Sequence, residues 1–122
     1  MSDFIRFLLI GEAQPDPYTW AAVLLAHAMI GIMLMSTIGA LVACWLRDGW
    51  AGVSVVASLY ACWEVLQLDA GALSSDCALD WSVVVLGAIL ALSLWQRRAS
   101  LGIRAILALL IVCLAGIRRR VR

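Results

Sequence analysis

Residues 20–46 carry no formally charged side chain, and that stretch leaves few folds open. As an α-helix it is about 40 Å long, at 1.5 Å of rise per residue. A bilayer's hydrocarbon core is about 30 Å thick, so this helix crosses it with some tilt. Trp20 and Trp45 stand at its two ends, where indole rings settle at the membrane–water boundary. Composition agrees, since 65% of the 122 residues are apolar and only 14% are charged. A soluble domain of this size has too little interior for that much apolar surface. The expected fold class is all-α: one integral membrane helical bundle within 1–122.

Two further spans follow. Arg47-Asp48-Gly49 reads as a tight turn, and 50–68 is apolar apart from Glu64. Residues 69–80 form a polar loop with Gly71, Ser74, Ser75 and the acids Asp69, Asp76 and Asp80. The third span is expected over about 79–96 and stops at Gln96-Arg97-Arg98. The last apolar segment, 103–117, is interrupted by Arg104, which leaves a stretch short for a span. It is expected as a short fourth helix that is re-entrant, interfacial or spanning. Residues 3–11 show an interfacial pattern, with Asp3 and Arg6 opposite Phe4, Ile5 and Leu8. Pro15 and Pro17 end it, and Asp16 or Thr19 can cap the next helix. Met1-Ser2-Asp3 lacks the basic start of a signal peptide, so the apolar segments are expected to remain in the mature protein.

Charge placement predicts an orientation. All nine cations are Arg, and seven lie after Trp95. With three spans and the N-terminus outside, eight Arg face the cytoplasm and only Arg6 faces out. If 103–117 also crosses, the same orientation gives four inside and five outside. The expectation is therefore three spans, N-terminus outside and C-terminus cytoplasmic. The basic tail 118–122, with Arg118, Arg119, Arg120 and Arg122, then meets anionic inner-leaflet lipid. A net charge of +1 gives no global basic field, so nucleic acid is not an expected partner.

Ionisable residues inside spans are costly and therefore candidates for function. His27 lies about 10 Å into the first span and Glu64 about 7 Å from the end of the second, by helix rise. Antiparallel neighbours place them at similar depth, which makes a His27–Glu64 contact a candidate. Tyr60 and Gln67 share the Glu64 face at i−4 and i+3, and Asp80 begins the third span at the same level. This predicts a polar cluster of His27, Tyr60, Glu64, Gln67 and Asp80. Three uses stay open: hydrogen-bonded glue between helices, a wet face lining a pore between copies, or a site with Glu64 as general base. No nucleophile elbow, HExxH, GxGxxG or P-loop occurs, so no catalytic residue is assigned and the chain is not expected to be an enzyme. The four Cys form no CxxC or Cys/His group, so no metal or cofactor is expected. Cys44, Cys62 and Cys113 read as buried packing residues, and Cys77, in the polar loop, as the one open to oxidation or pairing between copies. Small residues four apart (Ala22/Ala26, Ser36/Ala40, Gly39/Ala43, Ser54/Ser58, Ala57/Ala61, Gly87/Ala91) favour close helix packing, within a copy or between copies.

Two resemblances follow from these features. The overall plan, with the Arg118–Arg122 cluster after three spans, resembles class I phage holins. That resemblance implies a homo-oligomer in the bacterial inner membrane that opens it at lysis, and Lys-free, Ala/Leu/Arg-rich usage suits a bacterial or phage genome. The stretch Trp63-Glu64-Val65-Leu66-Gln67, then Asp76, Asp80 and Gly87, resembles the E-x-x-Q…D-x-x-x-D…G pattern of VanZ-like membrane proteins. The Arg and Asn usual in that pattern are missing. This second resemblance implies a membrane enzyme or binding protein with a polar site near the outer leaflet. An accessory subunit of a membrane complex is a third expectation.

Overall fold

The computed structural model describes residues 16–121. The expected interfacial helix 3–11 and Arg122 fall outside those residues. Helix α1 runs Pro17–Leu46. Asp16 starts it: its Oδ2 accepts from the Thr19 N–H at 2.6 Å and from the Thr19 hydroxyl at 2.8 Å. Pro17 fits the first turn because its missing N–H has no partner to lose there. The two Thr19 bonds hold the Asp16 carboxyl below its ordinary 3.8, the backbone N–H contributing most. Midway, Met35–Gly39 widens into a single π turn. The Thr37 hydroxyl donates to the Met33 carbonyl at 2.8 Å and also reaches Leu34 O at 3.3 Å, competing with the helix's own bonds.

Arg47 ends α1 in the left-handed conformation, with φ 53°. Asp48 caps α2, Gly49–Asp69, by accepting from the Trp50 N–H at 2.9 Å. Gly71, at φ 102°, turns the chain into α3, Ser74–Trp95. Helix α3 closes with bonds from Arg98 N–H to Ser93 O (2.9 Å) and from Arg97 N–H to Leu94 O (3.2 Å). This C-terminal motif normally places glycine at its left-handed residue, here Arg97 with φ 51°. A non-glycine residue there costs roughly 1–2 kcal/mol. Helix α4 is Ala99–Val121.

Helix α4 corrects the expectation of a short fourth element. It has 23 residues and is one of four helices among the described residues long and apolar enough to cross a membrane. Arg104 does not break it; its Nε donates to Ser100 O at 3.2 Å, one turn back on the same helix. The polar residues Ser74, Ser75 and Asp76 likewise belong to the first turn of α3 rather than to a loop.

The helices pack up-down-up-down. Helix α3 is central, with 44% of its span buried against 17% in α1 and in α4. One core layer joins α1, α2 and α3 through Met35, Val56, Val84 and Leu92. A second joins α1, α3 and α4 through Leu24, Ala28, Val83 and Leu109. Lipid tails are as apolar as these side chains, so close packing rather than water exclusion holds the helices together. The α1–α3 crossing rests on two glycines. A Cβ at Gly31 would sit 2.8 Å from the Val84 carbonyl carbon, and one at Gly87 would sit 2.9 Å from that of Ala28. At the other edge Gly116 lies against the Trp20 indole, and the Arg120 guanidinium sits 4.3 Å above the centre of the Trp20 rings. The start of α1 and the finish of α4 therefore meet at the same end of the bundle as the α2–α3 turn.

Candidate functional site

That end of the bundle carries the polar cluster. Helix α1 contributes His27, α2 contributes Tyr60, Glu64 and Gln67, and α3 contributes Asp80. The structure brings all five together. His27 Nε2 lies 3.5 Å from Asp80 Oδ2. The opposite ring nitrogen, Nδ1, is 2.8 Å from the Val23 carbonyl, which can only accept. Nδ1 therefore carries the hydrogen of that bond. Tyr60 meets His27 edge to face, with ring centres 6.4 Å apart. His27 thus pairs with Asp80 and not with Glu64, the partner expected across the antiparallel spans.

Glu64 is the most enclosed acid of the group, with 5% of its surface exposed. Its Oε2 accepts from the Gln67 amide at 3.2 Å once that amide is oriented to suit its neighbours, and Gln67 Oε1 then accepts from Trp63 Nε1–H at 2.8 Å. The Tyr60 hydroxyl and the Cys77 thiol face the same carboxyl. Glu64 Oε1, however, is buried and has no hydrogen-bond partner among the described residues. Leaving a buried acceptor unsatisfied costs roughly 1–3 kcal/mol, more when it is charged. Among the described residues no three of His, Cys, Asp and Glu converge closely enough to hold a metal ion.

Cys77 and Trp81 are the members that sequence reasoning missed. Cys77 is buried at 4% exposure in the first turn of α3, not open in a loop. Of the Cys read as buried, Cys44 and Cys62 are instead exposed on the apolar surface. Trp81 Nε1–H donates to the Ala57 carbonyl at 2.9 Å, tying α3 to α2 one turn below the cluster. A signal for Cys77 was present: it lies three residues before Asp80, on the same helical face. In the basic tail, Arg118 and Arg119 are exposed, while Arg120 is half-buried over Trp20 and its Nη1 is 3.4 Å from Gly116 O.

These features define a class: a multi-pass membrane helical bundle with a polar cluster enclosed among its helices near one end. No family model, curated protein or solved structure matches the chain.

Proposed function

We propose that this chain is a membrane-embedded binding protein whose site, near one membrane face, takes a small organic cation against Glu64. The unpartnered Glu64 Oε1 carries the proposal, because a buried acidic oxygen without a donor is complemented by a ligand that brings one. Tyr60, which faces Glu64, supplies aromatic surface of the kind that favours alkylammonium groups. The residues that resemble the VanZ-like pattern, Glu64, Gln67 and Asp80, are neighbours in this site, which supports that relationship over a purely architectural one. The site is read as one for binding, since no catalytic motif accompanies Cys77 and Glu64.

The test uses purified protein in mild detergent and two probes, methylammonium and tetramethylammonium, followed by calorimetry. Methylammonium is expected to bind more tightly, because it alone donates a hydrogen bond to Oε1. Glu64→Gln is expected to abolish that binding while leaving the helix content and melting temperature close to wild type. Absence of binding to the wild-type protein, or equal binding by the Gln variant, overturns the reading.

A second reading, a holin-like oligomer that permeabilises a bacterial inner membrane at phage lysis, is favoured by a different observation. Ala22/Ala26 and Ser54/Ser58 lie exposed on the outer surface, leaving two small-residue faces for another copy. Gly87/Ala91, by contrast, is consumed inside the bundle. On this reading the enclosed cluster steadies each copy, and the outer faces meet between copies. Controlled bacterial expression checks it: an abrupt, delayed loss of membrane potential is expected, and a steady potential removes the holin reading.

A further inference from the structure

The opposite end of the bundle holds a feature that the polar site does not use. Between the end of α3 and the start of α4 lies a cleft of about 340 Å³. That volume is within the range, roughly 300–1,000 Å³, of sites that hold small ligands. Leu94, Ile103 and Ile106 form its walls, and all three side chains are exposed on the apolar surface. Gly102 and Ser93 form its floor, where the Ser93 hydroxyl is already committed to the Leu90 carbonyl at 2.6 Å. The floor therefore offers no free donor to a polar ligand.

Arg97 and Arg98 line the mouth. Among the described residues neither guanidinium pairs with a carboxylate. Asp48, the one acid at this end among the described residues, is engaged in capping α2. Trp45, Trp50 and Trp95 are exposed at the same end and mark the membrane boundary, just inside the two arginines. The α3–α4 turn keeps Arg97 in a left-handed conformation that glycine would fill without strain.

An apolar groove reaching into the membrane, closed at its outer end by two unpaired guanidiniums at headgroup level, matches one kind of molecule. We propose that this cleft binds an anionic phospholipid, with the phosphate on Arg97 and Arg98 and one acyl chain along Leu94, Ile103 and Ile106. The proposal concerns this cleft alone and not the basic tail at the other end. This proposal does not depend on the cation site.

Native mass spectrometry of detergent-purified protein mixed with phosphatidylglycerol or phosphatidylcholine tests it. Wild type is expected to retain one phosphatidylglycerol under conditions that strip phosphatidylcholine. The double variant Arg97→Gln/Arg98→Gln is expected to hold that lipid roughly thirtyfold more weakly. Leu94→Trp, which fills the groove and keeps both guanidiniums, is expected to weaken it too. Arg118→Gln/Arg119→Gln removes the same charge at the other end and is expected to leave the tightest-held lipid in place. Inorganic phosphate at matched concentration is expected not to displace it. All substituted positions are exposed, and circular dichroism checks that the fold is kept. Unchanged retention in the Arg97/Arg98 or Leu94 variant overturns the proposal, as does equal loss in the Arg118/Arg119 variant or displacement by phosphate.

Discussion

At the scale of single residues, the two glycines of the α1–α3 crossing carry more than any ionisable group. Gly87 packs against the Ala28 backbone and Gly31 against that of Val84. A methyl group at either position meets main chain, which cannot rotate aside, so the whole helix must move away. Gly87→Ala is therefore expected to cost at least the 1–3 kcal/mol typical of overpacking. Reversible unfolding in mixed detergent measures it, and a loss below about 0.5 kcal/mol would show that the crossing is looser than drawn. The same substitution is expected to separate His27 from Asp80, because these residues sit on the two helices that the crossing joins. Glu64 was legible in the sequence because a carboxylate stands out in an apolar span, and Tyr60 and Gln67 followed from helical spacing. The His27–Asp80 pairing was not legible. It depends on α1 lying against α3, which is set by glycines that look like any other small residue in such a chain.

At the scale of elements, α1 was readable and α4 was not, for one reason. Residues 20–46 hold no charge, so apolar length and helix length nearly coincide. In α4 the arginines fall within the helix, and the apolar run between Arg104 and Arg118 understates it. Arg104 turns its charge back to the carbonyl of Ser100 and stays exposed near the start. Arg118, Arg119 and Arg120 occupy the last turn, where cations favour the negative end of the helix dipole. The polar first turn of α3 misled in the same way, because Ser and Asp suit helix starts as well as loops. The start of α1 yields a prediction at this scale. Asp16 is ionised in the folded chain to lower pH than in the unfolded one, so its cap is fully present above pH 3.8 and fades as the pH falls through the lowered folded value. Asp16→Ala is expected to speed amide exchange at Thr19 near neutral pH. Well below pH 3.8 the wild type is expected to exchange like the variant. Equal exchange at neutral pH would show that the cap does not hold the turn.

At the scale of the whole molecule, the full-length α4 changes what charge says about orientation. Three spans with the N-terminus outside gave a strong arginine bias, but that count relied on 103–117 staying on one side. With four crossings the arginines divide four to five between the two faces, and the bias that favoured opposite ends for the two termini is gone. We propose that all four helices cross, which puts the α2–α3 turn and the finish of α4 on one side, and the Arg47 and Arg97 turns on the other. In a cysteine-free background, Ser75→Cys and Arg119→Cys are expected to react with a membrane-impermeant maleimide from the same side. Asp48→Cys is expected to react only from the opposite side. Labelling of Arg119→Cys together with Asp48→Cys would return the chain to three crossings.

The seat of Trp20 against Gly116 and beneath Arg120 also bears on how the chain is made. The first span leaves the ribosome long before its last neighbour exists. Until α4 arrives, Leu24, Ala28 and Val83 lack the Leu109 side chain that completes their layer. The nascent protein must therefore wait in the membrane with one flank open, available to insertion machinery or to another unfinished copy. Closure comes only when α4 has been translated, so a ribosome stalled between α3 and α4 would leave an incomplete bundle for quality control to recognise.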